Sequence, residues 1–321
     1  MSDDPGVRLD PDAFKVERAA VRNGVELAFV HEGVGGFPIL LLHGYPETKR
    51  IWWRNIGPLR DAGFEVIAPD LRGFGESSLA PDGFYDVAAY ALDGYALVHD
   101  VLGHERCVVV GGDVGGCVGY DIAMRNRGFV ERFCFFNTIV PLRPELYEAA
   151  GIPPDEPHAT RQTADYFRRQ GQDGDTLIEE LDTPERRRAW VAAMYGARLW
   201  AAPGHFTADD VDFMSEPFAD ADKLRVSWGA YESAFGKRPI EDVPRLFDPC
   251  DVPTLALYGP DDHVLAPTFP DRCAIAFTNC IGPFTLQRCG HFVQWEAADV
   301  LNNALRWFCA DLLAGGGASG A

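Results

Sequence analysis

The sequence predicts an α/β fold: a mostly parallel, twisted sheet flanked by helices, with a helical unit inserted into it. Two observations carry this prediction. Short apolar runs alternate with helix-like stretches over the first part of the chain, which is the pattern of a parallel sheet covered on both faces. The alternation stops after Pro141 and resumes near residue 254, and helix-start signals occupy the interval. We therefore expect a core made of residues 1–141 and 248–321 and a helical cap made of residues 142–247.

The predicted strands follow one another along the chain. Two strand-like runs open the sequence and are joined by Asn23-Gly24, a dipeptide that favours the positive φ angles of a tight hairpin turn. The later strands are PILLLHG, FEVIAPDLRG, ERCVVVGGD, VERFCFFNTIVP, PTLALYG and PFTLQRCGH. Between them lie helix-like stretches such as YDVAAYALDGYALVHDVLG and VGGCVGYDIAMRNRG.

Capping signals support the helices of the inserted unit. Thr183 is a capping residue followed by a first-turn proline and an acid, and Thr207 with Asp210 forms the pattern of a capping box. After the last strand, an apolar stripe at spacings of four, three and four predicts one final helix packed on the sheet: Leu301, Leu305, Phe308 and Leu312.

Composition narrows the class of protein. The chain has 48 acidic and 29 basic residues, a net charge of -19 that disfavours nucleic acid and anionic lipid as partners. The N-terminus has no secretory signal and no apolar run is long enough to span a bilayer, so we expect a cytoplasmic protein without a membrane segment. Eight scattered cysteines lack metal-ligand spacing, so neither disulfides nor a metal site are expected. A small, neutral, hydrophobic substrate fits this composition, and a homodimer is compatible with it.

The segment VVVGGDVGG is typical of a nucleophile elbow, a sharp turn from a strand into a helix with the reactive side chain at its tip. Asp113 stands at the tip, and Gly111 and Gly115 are the small residues that close strand–helix packing requires. An aspartate attacks carbon directly and forms an ester without a base to activate it. Taken alone, the same residues are equally compatible with a carboxylate that only caps a helix.

His43-Gly44-Tyr45-Pro46 follows the strand PILLL, where such a fold supplies a backbone N–H to an oxyanion hole. The donors would be the N–H groups of Tyr45 and of Val114, the residue after the nucleophile.

An acid and a base follow further along the chain. Asp262 lies just beyond the strand LALYG, and His291 lies after the next strand and a glycine. The order nucleophile, acid, histidine is the order of a catalytic triad in which the acid orients the imidazole.

With the segment DLRGFGES at residues 70–77, these motifs resemble the α/β-hydrolase superfamily from about residue 14 to residue 313. The resemblance implies the α/β-hydrolase fold. An aspartate nucleophile is similar to the branch of epoxide hydrolases, haloalkane dehalogenases and fluoroacetate dehalogenases. Tyr45 and Val114 stand where haloalkane dehalogenases carry their halide-binding Asn and Trp, and Val114 and Cys117 stand where fluoroacetate dehalogenases carry substrate-binding arginines.

Two tyrosines favour the epoxide hydrolases within this branch. Tyr166, in Asp165-Tyr166-Phe167, resembles the first of the two cap tyrosines that bind the epoxide oxygen, and Tyr231 resembles the second. The family usually has Tyr-Arg where this chain has Tyr231-Glu232. A further departure places Gly112 and Val114 where the family carries His and Trp, which predicts a larger pocket beside Asp113.

The resemblance implies a two-step reaction without cofactor or metal: Asp113 opens the epoxide to form an ester, and water activated by His291 and Asp262 hydrolyses the ester to a vicinal diol. Two alternatives remain open. One is a haloalkane or haloacid dehalogenase with an atypical halide site built from Trp52, Trp53 or Trp228. The other is a non-catalytic ligand-binding protein of the same fold.

Overall fold

The computed structural model describes residues 9–139, 143–153 and 165–315. Its centre is an eight-stranded sheet in the order β1-β2-β4-β3-β5-β6-β7-β8. The strands are β1 (Val16–Ala20), β2 (Glu26–Glu32), β3 (Phe37–Leu42), β4 (Phe64–Pro69), β5 (Cys107–Gly112), β6 (Val130–Phe136), β7 (Thr254–Tyr258) and β8 (Cys280–Thr285).

Of the eight strands, β2 alone runs opposite to the other seven. β1 pairs with β2 and β2 with β4 in antiparallel register, and all pairs from β4 to β8 are parallel. Asn23 and Gly24 adopt φ angles of 51° and 78° in the turn between β1 and β2, which confirms the predicted hairpin. The mostly parallel α/β fold is therefore confirmed.

Helices cover both faces of the sheet, so that β4, β5 and β7 are buried along their whole length. Those before the insertion are α1 (Ile56–Asp61), α2 (Val87–Tyr95), which continues as a π-helical segment over Ala96–Val101, and α3 (Asp113–Arg125). Those after it are α11 (Phe269–Ala276), α12 (Val293–Glu296), α13 (Ala298–Phe308) and α14 (Ala310–Gly315).

The segment between β6 and β7 is helical and contributes no strand to the sheet in its described part. Two predicted helix starts are confirmed, because the Thr183 side chain caps α7 and Thr207 with Asp210 forms a complete capping box at α8. The helices of the segment are α4 (Pro144–Ala149), α5 (Asp165–Gln172), α6 (Gly174–Glu180), α7 (Pro184–Tyr195), α8 (Ala208–Ser215), α9 (Ala221–Ser227) and α10 (Gly229–Ala234).

The predicted final helix is two helices. Leu301, Leu305 and Phe308 form the buried face of α13, but Cys309 interrupts the helix and Leu312 belongs to α14. The expectation of one continuous helix was wrong, since an apolar spacing of three or four residues survives a break of a single residue. Among the helices of the described ranges, none is both long enough and apolar enough to cross a membrane.

Candidate active site

The predicted nucleophile lies at a strained turn. Asp113 follows β5 directly, begins α3 and has a φ angle of 47°, a left-handed conformation that side chains other than glycine rarely adopt. A Cβ at Gly111 would lie 2.4 Å from the carbonyl oxygen of Gly115, and a Cβ at Gly115 would lie 2.3 Å from that of Leu42. Only glycines allow this approach, so the strand, the helix and the neighbouring β3 fix the position of the Asp113 carboxylate.

The two oxygens of that carboxylate have different partners. The backbone N–H of Tyr45 donates to Oδ1 over 2.8 Å, and Nε2 of His291 lies 3.3 Å from Oδ2. The side chain of Asp113 is 14% exposed, whereas the His291 ring is 1% exposed. Because Oδ1 already accepts from a backbone donor, Oδ2 is the oxygen that faces the base.

Several polar groups of the loop from His43 to Pro46 are hydrogen-bonded within the protein. Nε2 of His43 accepts from the N–H of Leu71 at 2.9 Å, and Nδ1 lies 2.8 Å from the carbonyl oxygen of Gly44. Burial lowers the pKa of His43 to about 4, so this histidine is a neutral support for the loop. The carbonyl oxygen of Pro46 accepts from the Tyr195 hydroxyl of the inserted segment at 2.6 Å.

The other residues predicted around the nucleophile lie beside it. A Cβ at Gly44 would lie 2.6 Å from the Cβ of Asp113, so this glycine lets the loop pass directly over the nucleophile. Val114 is the second residue of α3, which is the place of the second predicted backbone donor.

Asp262 and His291 form a buried pair. Nδ1 of His291 donates to Oδ2 of Asp262 over 2.8 Å, and Oδ1 of Asp262 accepts from the N–H of Val264 over 2.6 Å. Burial alone would lower the pKa of His291, but the nearby carboxylates of Asp262 and Asp113 outweigh it and hold that pKa well above its usual range. The structure thus brings the three residues predicted as a triad into one chain of contacts.

Asn137 joins the parts of this triad and was not predicted. Its carbonyl oxygen accepts from the N–H of Asp113 at 3.0 Å, and its side-chain amide donates to Asp262 Oδ2 at 2.9 Å and to the Gly290 carbonyl at 3.2 Å. The residue lies just beyond the carboxyl end of β6. Its position after a parallel strand, in the same manner as Asp113 and Asp262, is the signal that could have revealed it.

Glu47 was also missed. It is 2% exposed and accepts from the N–H of Gly44 at 2.6 Å and from the side-chain amide of Gln294 at 2.9 Å. Burial, reinforced by the nearby charge of Asp113, raises its pKa to about 7. This carboxyl links the loop of Gly44 to the helix that follows His291.

The two predicted cap tyrosines lie inside the protein, each 6% exposed. Their ring centroids are 6.0 Å apart, and the Tyr166 ring lies 4.7 Å from that of Trp200, which in turn lies 5.1 Å from the His291 ring. The Tyr231 hydroxyl is buried and has no protein partner in the described part of the chain. Burial and the charge of Asp113 hold the pKa of both tyrosines well above the usual range, so both hydroxyls remain protonated donors.

The expectation that Gly112 enlarges the pocket was wrong. A Cβ at Gly112 would lie 2.3 Å from Cε2 of Phe136, so the phenylalanine ring already occupies the space that a side chain there would need. Phe136 is fully buried at the end of β6, and its ring packs 6.3 Å from that of Trp52. Glycine at this position therefore leaves the space that the adjacent Phe136 ring occupies.

Two of the three tryptophans considered as halide donors are engaged elsewhere. The indole N–H of Trp53 donates to the carbonyl oxygen of Asp10 at 3.0 Å, and that of Trp228 donates to the Tyr45 hydroxyl at 3.2 Å. The Trp52 N–H has no partner in the described ranges. Tyr45 also accepts from the side-chain amide of Gln170 at 2.6 Å, so its side chain binds the inserted segment. Within the same ranges, no group of three or more His, Cys, Asp or Glu residues is arranged to hold a metal ion.

Comparison with known proteins assigns the chain to a family. The sequence matches the family described as alpha/beta hydrolase fold over residues 38–298. It is 30% identical over 293 residues to the soluble epoxide hydrolase of a Corynebacterium species, covering 90% of this chain and 96% of that protein. It is 36% identical to epoxide hydrolase A of Mycobacterium tuberculosis, in an alignment that covers 92% of this chain and 98% of that protein.

A solved structure, that of the epoxide hydrolase CorEH without ligand, superposes with a TM-score of 0.77 at 24% identity over 93% of this chain and 99% of that chain, which shows a shared fold. The chain belongs to the α/β-hydrolase family, in the branch that contains these epoxide hydrolases.

Proposed function

We propose that this protein hydrolyses epoxides to vicinal diols through an ester on Asp113. The observation that supports the proposal best is the arrangement of the Asp113 carboxylate, which has a backbone donor on Oδ1, the His291–Asp262 pair beside Oδ2, and tyrosines in the overlying helical segment. The names of the relatives support the same activity. We further propose that residues 142–247 form a cap over a small, neutral, hydrophobic substrate.

In the first step, Oδ2 of Asp113 attacks an epoxide carbon and the bond between that carbon and the ring oxygen breaks. The oxygen develops negative charge and takes a proton from Tyr166 or Tyr231. Both hydroxyls are held protonated by burial and by the charge of Asp113. An alkoxide is a stronger base than an ordinary phenolate, which directs the proton from the tyrosine to the departing oxygen.

In the second step, formation of the ester removes the negative charge of Asp113. That charge, 3.3 Å from Nε2, is among the causes that hold the pKa of His291 high, so the pKa of the imidazole falls when the ester forms. The neutral imidazole, oriented by Asp262, then takes a proton from water, and the resulting hydroxide attacks the carbonyl carbon of Asp113. The oxyanion forms on Oδ1, which the N–H of Tyr45 already contacts, and the N–H of Val114 is the second proposed donor.

The tetrahedral intermediate then collapses: the bond from Cγ to Oδ2 breaks, Oδ2 leaves with the diol, and the departing oxygen takes the proton of the carboxylic acid formed on Asp113. The proton that His291 lost when its pKa fell restores the tyrosine hydroxyl, so Asp113, His291 and the tyrosine return to their starting states.

The experiment that tests this function is turnover of styrene oxide by the parent protein and by Asp113→Asn, with the diol as the product measured. We expect the variant to be inactive, because a neutral amide is a poor nucleophile. In a single turnover in water enriched in heavy oxygen, label should enter Asp113 before it enters the diol. Label that appears only in the diol would mean direct attack by water and would refute the ester mechanism.

Haloalkane dehalogenation is the second candidate. It is supported by the indole N–H of Trp200, which is buried beside Tyr166 and His291 and has no partner within the described residues, as a halide donor would require. Release of bromide from a bromoalkane, without diol formation from styrene oxide, would favour this activity. A cytoplasmic location and a homodimer remain predictions.

A further inference from the structure

The carboxylate of Glu296 accepts three backbone N–H groups. Oε2 accepts from Gly290 at 2.8 Å and from Ala202 at 2.8 Å, and Oε1 accepts from Phe292 at 2.9 Å. Gly290 and Phe292 are the residues on either side of His291, whereas Ala202 belongs to the inserted helical segment. One side chain therefore joins the histidine loop to that segment.

The backbone of His291 itself is bonded to the same part of the insertion. Its N–H donates to the carbonyl oxygen of Trp200 at 2.8 Å. A Cβ at Gly290 would lie 2.5 Å from that carbonyl oxygen and 2.5 Å from the nitrogen of Ala202, so the two loops are in direct backbone contact. The position of residues 200–202 and the position of the imidazole are thus set together.

Residues 200–202 also include Trp200, whose ring lines the active site. The Trp200 ring lies between the Tyr166 ring, at 4.7 Å, and the His291 ring, at 5.1 Å. Trp200 is fully buried. A shift of this segment would therefore displace both the proposed donor to the epoxide oxygen and the proposed base.

A carboxylate suits this place better than any other side chain of its size. It offers two oxygens that only accept hydrogen bonds, whereas a glutamine offers one oxygen and an amide group that repels a facing N–H. In Glu296→Gln, either Phe292 or the pair Gly290 and Ala202 would face that amide group.

We propose that Glu296 is a positioning residue, which acts through the histidine loop and residues 200–202 to hold His291 at Asp113 and Tyr166 over the same carboxylate. The identity of the two reaction steps rests on the proposed function. The link between the histidine loop and residues 200–202 rests on the contacts of Glu296. Glu296 touches neither the substrate nor the reacting atoms in this scheme.

The test compares Glu296→Gln with the control Asp299→Asn, which removes an exposed carboxylate from the neighbouring α13. Rapid mixing with styrene oxide measures ester formation and ester hydrolysis separately. We expect Glu296→Gln to slow both steps at least about tenfold with a smaller change in KM, because small misplacements of reacting groups are costly, and the control to match the parent protein. Parent rates of both steps in the folded variant would overturn the proposal.

A second measurement does not depend on turnover. The NMR titration of the His291 imidazole, assigned with His291→Gln, should move toward the ordinary histidine range in Glu296→Gln, because a looser ring loses contact with Asp262 and Asp113. An unchanged titration would contradict the positioning role. If the parent opens no epoxide but the titration shifts, the proposed function fails and the positioning role stands.

If Glu296→Gln does not fold, Gly290→Ala provides the same test, because its Cβ forces residues 200–202 away from the histidine loop. It should slow both steps as well, and parent rates in this variant would overturn the proposal.

Discussion

Tyr231→Phe should have opposite effects on activity and stability. The Tyr231 hydroxyl is buried and has no protein partner in the described residues, although its ring packs 5.4 Å from Tyr45 and 5.4 Å from Phe167. A phenylalanine keeps those ring contacts and removes a polar group whose burial is uncompensated. We therefore expect the free energy of unfolding to stay unchanged or to rise by about 1 kcal/mol.

The same change should slow opening of the epoxide. A hydroxyl that donates mainly to the leaving oxygen acts in the transition state, and loss of one such donor costs about a hundredfold in rate. Tyr166 remains as the second donor, so the single variant keeps residual activity and the double phenylalanine variant should form almost no ester.

The matched control is Tyr85→Phe. The hydroxyl of Tyr85 accepts from the backbone N–H of Ala80 at 2.8 Å, and both residues are buried. Its loss leaves a buried donor unpaired and should lower the free energy of unfolding by about 1–3 kcal/mol without slowing the reaction of the folded protein. Urea unfolding and rapid-mixing kinetics measure the two quantities. A Tyr231→Phe protein that is less stable, or that opens epoxides at the parent rate, would refute the reasoning.

Three further predictions concern other parts of the site. His291→Gln should form the ester but not hydrolyse it, so a stable adduct should appear by intact-mass analysis; absence of both steps would assign His291 another role. Burial raises the pKa of Glu47 from 4.5 to about 7, so protonated Glu47 adds about 3 kcal/mol to the free energy of unfolding below pH 4.5, and this contribution is lost as the pH rises through 7. Urea unfolding at several pH values should show that Glu47→Gln lacks this loss, and the same pH dependence in variant and parent would contradict the prediction. Gly112→Ala should lower the free energy of unfolding by about 1–3 kcal/mol because its Cβ meets the Phe136 ring, and an unchanged urea midpoint would show that the ring moves freely.

Much of the fold and of the reactive set is local in the sequence. The strand, the sharp turn and the helix around Asp113 are contiguous, and the packing limit on Gly111 comes from Gly115, four residues further along the chain. Parallel strands end at one edge of the sheet, so the order of Asp113, Asp262 and His291 along the chain was enough to place their side chains together. His291 accordingly lies 2.8 Å from Asp262 and 3.3 Å from Asp113, because all three residues follow strands that end at that edge.

The remainder depends on neighbours that are distant in the chain. Gly112 suggested an open space because it stands where the family carries His, but Phe136 from the adjacent strand fills that space. Glu296 belongs to no sequence motif, and its role becomes visible only in the structure, where the N–H groups of Ala202 and Gly290 donate to the same carboxylate oxygen. A one-dimensional pattern records which side chains a local turn presents, whereas van der Waals contact and hydrogen-bond pairing between separate strands and loops are decided only when the chain is packed.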